Sequence, residues 1–366
     1  MKSNPLWSHL VKVNNQISYS FFNQITFSYG PQVFVGLDGS LLQPMYINSF
    51  NRQYTPKDSI LITKVNKLTR LKNLLDKKGV KLLVVANTNN LVLYPENVPS
   101  NFLDPTRFER KNSYEIIKEY LTMQNIPFVD NHQFLVEWKS KVDYKFFEPT
   151  GSHLNDVGVC LATNNLLRAI QKELPNKNIK NFECFPVKKE FPPRKEDVDL
   201  LDVSNLLFPN ALLRAGTYSP KPKKLYKEAP LRILFVGTSF NFATQAALKK
   251  RNIANSKLYF YYRTLRTDDG VFHPFDKRKI DWENDIFKND IIILESNYSG
   301  LGGIGYNFLT DAIKILKKEL FTTEAKLKAW QNEISPLLIR HERRNKNKDD
   351  KEQSKENSEF NPFLTF

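Results

Sequence analysis

Cysteine is nearly absent: Cys160 and Cys184 are the only two in 366 residues. That is too few for a disulfide framework or, without histidine, for a zinc cluster. Long apolar runs are missing as well. No stretch approaches the roughly 20 apolar residues of a membrane-spanning helix, and no apolar segment typical of a signal peptide follows Met1. Glycine, at 13 residues, is too sparse for a collagen-like repeat. Acidic residues are the minority, 39 Asp and Glu against 54 Lys and Arg, for a net charge of +15. What is present is 41% hydrophobic and 13% aromatic residues, a mix that excludes a disordered chain and predicts a soluble globular protein. The length suits one large α/β domain or two ordinary ones.

The positive charge does not read as a nucleic-acid footprint. Its densest run, His341-Glu342-Arg343-Arg344-Asn345-Lys346-Asn347-Lys348, is followed at once by Asp349-Asp350-Lys351-Glu352. Zinc-finger spacing, an aromatic RNP-like strand and a helix-turn-helix are all lacking, so no nucleic-acid partner is expected. A solvated, lysine-rich surface accounts for the charge. A secondary reading is attraction to an anionic polymer, such as an acidic glycan or a membrane surface.

Hydrophobic patterning predicts strands alternating with helices. Val33 to Leu42 reads as a strand, a turn at Asp38-Gly39 and a second strand. Val65, Leu68, Leu71, Leu74 and Leu75 recur at helical spacing up to Gly79, and Val80–Ala86 then reads as a buried parallel strand. A helix over about 112–125 leads to a strand at Ile126–Val129. A further helix carries Val157, Cys160, Leu161, Leu167, Ile170 and Leu174, with Asn155 or Asp156 placed to cap it. Residues 175–230, rich in proline and lysine, predict a long irregular surface insertion. Beyond it, Leu231–Val236, Leu258–Tyr262 and Asp290–Leu294 read as strands, with helices following Phe240 and Phe308. The pattern predicts a mostly parallel sheet with helices on both faces. The expected organisation is a lead-in segment over 1–32, one main α/β domain over 33–320 and a charged helix and tail over 321–366.

In such sheets ligands sit beyond the carboxyl ends of the strands. Ser239 falls there, after a buried strand and Gly237, at the start of a helix. Its N–H and the helix dipole suit an oxyanion, although a serine at this position more often merely caps the helix. A serine nucleophile needs a base. Of the five histidines, His9 lies in the lead-in and His341 in the charged tail. His132 opens a helix-like segment and His273 sits in a polar loop. His153 stands apart, in a glycine-containing turn, Pro149-Thr150-Gly151-Ser152-His153-Leu154-Asn155, at a helix N-terminus. No second His or Cys stands at ligand spacing from it, so no metal or other cofactor is expected.

Five landmarks in order carry a family resemblance. Val35-Gly36-Leu37-Asp38-Gly39-Ser40-Leu41 looks like an opening "GkDGWLF" block, with Ser40 in place of the usual Trp. Leu93 to Pro99 is close to "lYPE.iP", Thr150 to Asn155 to "T(D/G)tHWN", Gly237-Thr238-Ser239-Phe240 to "GDSF", and Asn289 to Asn297 to "nDvvi.E.nE". Together, over about 33–320, they resemble the alginate O-acetyltransferase AlgX/AlgJ family of SGNH-hydrolase-like domains. The resemblance implies a three-layer, flavodoxin-like, mostly parallel sheet that is circularly permuted. It further implies Ser239 as nucleophile, His153 as general base, and ping-pong transfer of an acetyl group to a polysaccharide hydroxyl.

The family commonly has Asp two residues before the histidine. Here that position is Gly151, which leaves the orienting acid unassigned between Asp156 and Glu148. Asn297 and the Asn89 loop are candidate oxyanion donors beside the Ser239 N–H, and Glu295 is either catalytic support or a structural acid. The partners implied are a polysaccharide acceptor and an acetyl donor supplied by a membrane-bound O-acyltransferase. The implied location is periplasmic or extracytoplasmic; with no export signal in the sequence, either an N-terminal segment lies outside it or the protein sits elsewhere, and any membrane association runs through a partner or such a segment. The competing readings are a carbohydrate acetylesterase and a glycan-binding scaffold without catalysis. A single Cys160–Cys184 disulfide is compatible with the sequence and not required by it.

Overall fold

A computed structural model describes residues 5–25, 33–53, 55–319 and 322. The chain divides into two compact units, Met1–Asp311 and Ala312–Phe366. In the second unit residues 312–319 are helical; the charged tail, with His341, lies outside the described residues.

The first unit opens with helix α1 (Pro5–Phe22) and a hairpin of strands β1 (Phe34–Val35) and β2 (Leu41–Leu42). Gly39 turns that hairpin with φ of 79°, a conformation open to glycine at little cost. Helices α2 (Ile47–Phe50) and α3 (Asp58–Asp76), strand β3 (Lys81–Asn87) and helix α4 (Asn90–Leu93) follow. Next come α5 (Ser113–Met123), β4 (Phe128–Asp130), α6 (Asn131–Lys139) and α7 (Asp156–Glu173). The segment read as an irregular insertion contains β5 (Lys188–Glu190), α8 (Asp199–Ser204) and β6 (Gly216–Tyr218). The chain then returns to β7 (Leu231–Gly237), α9 (Phe240–Lys250), β8 (Ala254–Phe260), β9 (Thr264–Thr267), β10 (Phe272–His273) and β11 (Ile291–Asn297).

Seven strands form the main sheet in the order β10-β9-β8-β7-β11-β3-β4. β8, β7, β11, β3 and β4 run parallel, while β9 and β10 add an antiparallel edge. If the count begins at β7 and wraps through the chain ends, the parallel strands stand in the order 2-1-3-4-5, the flavodoxin arrangement. The permutation expected from the resemblance is therefore present in the topology. It places the switch point, where ligands bind, between β7 and β11.

The strands are buried on both faces, hence their near-continuous Val, Ile and Leu runs. Leu83, Val85, Ile233, Phe235, Ile291 and Ile293 face α7 and α9 through Leu166, Leu167, Ile170 and Leu248. Leu82, Val84, Leu234, Val236, Ile292 and Leu294 alternate with them and are equally buried. On that side α3 packs on β3 with Leu61, Val65, Leu68, Leu71 and Leu75. This is the three-layer arrangement.

The insertion is not merely a surface loop. Leu200, Leu201 and Leu206 are buried with Val33, Val35 and Leu41, so this segment completes a core that the opening hairpin cannot close alone. Its start is tied to α7 by a disulfide between Cys160 and Cys184.

Candidate active site

Parallel strands deliver their following loops to one edge of the sheet, so β7, β3 and β11 bring Ser239, Asn89 and Glu295–Asn297 to the same side. The turn between β7 and α9 is tight. A Cβ on Gly237 would meet Asn241 Nδ2 and Glu295 Oε2 at 2.5 Å each, so only glycine fits there. Ser239 precedes the first residue of α9, yet its side chain makes no capping bond. Its Oγ lies instead 2.9 Å from His153 Nε2.

His153 is carried by the turn before α7, whose N-cap is Asn155, accepting from the Gly158 N–H. The ring rests on Phe240 of α9, with centroids 5.2 Å apart. Its Nδ1 lies 2.8 Å from Asp199 Oδ2. Asp199 also accepts from the Ser152 N–H (2.7 Å) and the Ser152 hydroxyl (2.6 Å). Burial pushes the Asp199 carboxyl up, but the hydrogen bonds from His153 and Ser152 outweigh it and hold the group below its usual range. A carboxylate at Nδ1 fixes the imidazole proton there, leaving the Nε2 lone pair for the Ser239 hydroxyl.

The acid beside His153 is neither of the two expected from sequence. Glu148 accepts from Asn155 Nδ2 (3.0 Å) and the Thr217 N–H (2.7 Å), tying its turn to β6. Asp156 pairs with Arg194 (3.1 Å) and accepts from the N–H and hydroxyl of Ser219. Both carboxylates hold the insertion in place, and neither is hydrogen-bonded to His153. Asp199 reaches the ring from the first turn of α8. The insertion locks onto the histidine turn through Leu200 N to Thr150 O (3.1 Å) and Thr150 Oγ1 to Asp197 O (2.9 Å). The space beside Gly151 is filled by this backbone, since a Cβ there would meet the carbonyls of Asp197 and Glu196 at 3.0 Å each. The glycine and the relocated acid are thus two aspects of one arrangement. The sequence signal for Asp199 was slight: an acid directly ahead of the apolar pair Leu200-Leu201 within an otherwise proline- and lysine-rich stretch.

Glu295 is fully buried and accepts from the Thr238 N–H (2.8 Å), the Thr238 hydroxyl, Asn241 Nδ2 (2.6 Å) and Asn87 Nδ2 (3.0 Å). Burial pushes its carboxyl up, against those hydrogen bonds. It clamps the turn that presents Ser239 and does not itself reach the hydroxyl. Asn89 caps α4 and gives its amide nitrogen to Ser299 Oγ at 3.0 Å. Asn297 accepts from the Gly300 N–H. Its Nδ2 lies 3.5 Å from the Tyr46 hydroxyl. The Asn89 amide thus bonds across to the loop after β11, and the Asn297 amide to the segment before α2. Among the described residues nothing accepts from the Ser239 N–H, which keeps it available at the positive end of α9. No group of His, Cys, Asp and Glu among the described residues could hold a metal ion.

Residues 48–251, more than half of the chain, match the family model described as "SGNH hydrolase-like domain, acetyltransferase AlgX". The O-acetyltransferase domain of Pseudomonas putida AlgJ is similar in fold at 13% identity, with a TM-score of 0.50, covering 78% of this chain and 99% of that one. Bacillus cereus PatB1 gives 0.44 at 11% identity, covering 74% and 96%, and Pseudomonas aeruginosa AlgX 0.43 at 13% identity, covering 80% and 69%. No curated protein matches the chain. With its permuted sheet and with the family model spanning more than half its length, the chain belongs to the SGNH hydrolase-like domain family of the acetyltransferase AlgX.

Proposed function

We propose that this chain is a serine O-acetyltransferase that moves an acetyl group from a donor to a hydroxyl of a cell-surface or secreted polysaccharide. The observation that supports it is the unbroken hydrogen-bonded chain Ser239–His153–Asp199 at the switch point of the sheet. In this reading His153 Nε2 takes the Ser239 proton as Oγ attacks the acetyl carbonyl, and it returns that proton to the donor's leaving atom. The tetrahedral oxyanion rests on the Ser239 N–H at the start of α9. In the second half His153 removes the proton of the acceptor hydroxyl, which attacks the acyl-enzyme, and Ser239 Oγ recovers a proton from the imidazole. Asp199 holds the tautomer and the cation through both halves.

The disulfide between Cys160 and Cys184 favours an oxidising, extracytoplasmic setting. Among the described residues no helix is long and apolar enough to cross a membrane. In this reading the acetyl donor is supplied by a separate membrane-bound O-acyltransferase. A chromogenic acetyl ester tests the reading: turnover is expected in the parent chain and lost in Ser239→Ala and in His153→Ala, with acetyl appearing on an added oligosaccharide. Turnover that survives Ser239→Ala would defeat it, and release to water alone, unchanged by added oligosaccharide, would point to an esterase.

A further inference from the structure

Helix α1 turns polar residues inward and an apolar stripe to solvent, the reverse of a helix packed on a core. Leu6, Leu10, Val13, Ile17 and Phe21 follow one another at three- and four-residue steps, a stripe about 80° wide at 3.6 residues per turn. Half or more of Leu6, Leu10, Ile17 and Phe21 is exposed, and more than a third of Val13. Asn15 and Tyr19 stand roughly 160° from the centre of that stripe and form the docked face. Asn15 is fully buried and donates from Nδ2 to Ser204 O at 3.0 Å. Gln16 Oε1 accepts from the Phe208 N–H at 3.0 Å, and Tyr19 packs against the core that holds Leu200 and Leu201. These contacts fix the rotation of the helix and hold the stripe outward.

Composition and charge decide what such a stripe meets. Trp7 stands near one end of the helix and Phe21-Phe22 at the other, all largely exposed. These are the side chains that settle at the boundary between acyl chains and headgroups. α1 contains no acidic residue; its ionisable side chains are His9 and Lys12, on one flank of the stripe. Arg214, also exposed, is near enough for its charge to reach the Tyr19 hydroxyl. With the chain at +15, these surroundings attract an anionic surface. Among the described residues no helix is long and apolar enough to cross a bilayer, so α1 would lie along one. Its 18 residues make a strip of about 27 Å by 10 Å, well short of the roughly 800 Å2 per partner of a stable protein interface.

We propose that the α1 stripe docks on the surface of an anionic phospholipid bilayer, with the helix axis in the plane of the headgroups. Leu10, Val13 and Ile17 enter the acyl boundary, Trp7 and Phe21 flank them, and Lys12 and Arg214 supply charge for the lipid phosphates. The docked helix is bonded to Ser204, the last residue of α8, whose first residue is Asp199, roughly 8 Å away along that axis. Docking therefore keeps the acid and its histidine close to the bilayer. It is independent of the chemistry that Ser239 performs.

Co-sedimentation of the whole chain with vesicles tests this. Phosphatidylcholine vesicles containing about one-third phosphatidylglycerol should bind it about tenfold more tightly than phosphatidylcholine alone, and less tightly as salt is raised. Leu10→Gln combined with Ile17→Gln, at exposed positions where glutamine keeps helix propensity, should weaken binding about a hundredfold at an unchanged thermal midpoint. Brominated acyl chains should quench tryptophan emission in the parent chain, and the quenching should be lost in Trp7→Phe although that variant still binds. No binding to either vesicle, binding that survives the double substitution, or unquenched emission of the bound parent would overturn the proposal. A concentration-dependent dimer that the double substitution dissolves, in a chain that vesicles do not bind, would overturn it in favour of a second copy of this chain. Turnover of a soluble chromogenic acetyl ester should be the same in the double variant as in the parent; its absence from the parent would overturn the acyl-enzyme reading and leave the vesicle result standing.

Discussion

Replacing Asp199 by Asn should damage catalysis more than removing the side chain. The Ser152 N–H donates to Asp199 Oδ1 at 2.7 Å, while Oδ2 faces His153 Nδ1 at 2.8 Å. A backbone N–H can only donate, so the asparagine carbonyl must keep the Oδ1 position and its NH2 group must take the place of Oδ2. There it donates to Nδ1 and drives the imidazole proton to Nε2, the nitrogen that faces Ser239 Oγ at 2.9 Å. The base then has no lone pair for the hydroxyl. A tautomer inversion of this kind costs about four orders of magnitude in kcat, or roughly 5 to 6 kcal/mol of barrier. Asp199→Ala leaves Nδ1 to water and the tautomer free, and should cost about two to three orders. Steady-state kcat and KM with a chromogenic acetyl ester read both variants. An Asp199→Asn enzyme within tenfold of the parent, or milder than Asp199→Ala, would refute the assignment of the acid.

Four further outcomes can be measured on the same chain. Adding Gly151→Asp to Asp199→Asn should restore no activity, because a Cβ at 151 meets the Asp197 and Glu196 carbonyls at 3.0 Å; recovery of turnover would show that the loop yields. His132, packed by Tyr114 and Tyr298 and bonded to Thr88, is held down by burial to a pKa of about 4, so its neutral form is the stable one. The unfolded chain binds that proton first, so stability falls as pH drops from about 6.5 toward 4, by on the order of 3 kcal/mol, and His132→Phe should flatten this limb in denaturant titrations. Asp199, depressed in the fold, adds a further loss only as pH falls below its unfolded value of about 3.9. Converting Cys160 and Cys184 to serine opens a loop spanning 24 residues and should cost about 3 kcal/mol, seen as a lower denaturation midpoint.

The central sheet is legible in the sequence because strands buried on both faces must be apolar throughout. Val80–Ala86, Leu231–Val236 and Asp290–Leu294 are found as Lys81–Asn87, Leu231–Gly237 and Ile291–Asn297, the first two within a residue at each end and the last running three residues further at its C-terminal end. The fourth strand is displaced. Leu258–Tyr262 reads as strand from its aromatics, but the strand is Ala254–Phe260, half polar because it borders the antiparallel edge, and Tyr261 and Tyr262 turn out of it into left-handed backbone. Ser239 and His153 are legible as residue types at strand-end and helix-start positions, and the fold brings them together across 86 residues of sequence. Asp199 is not legible in that way. Its role follows from how an insertion packs, through Leu200 and Leu201 entering a core with Val33 and Leu41, and nothing periodic in a proline-rich segment announces such docking. The nearer acids were misleading because proximity in sequence to a helix start says nothing of direction: Asp156 turns to Arg194 and Ser219, Glu148 to Asn155 and Thr217.

The acyl-enzyme itself is the most direct object of measurement. Rapid quenching of the chain with a chromogenic acetyl ester, followed by intact-mass analysis and peptide mapping, should find one acetyl group on Ser239, discharged on addition of an acceptor oligosaccharide and absent in His153→Ala. An acetyl group on another residue, or turnover with no covalent acetyl at all, would contradict the account.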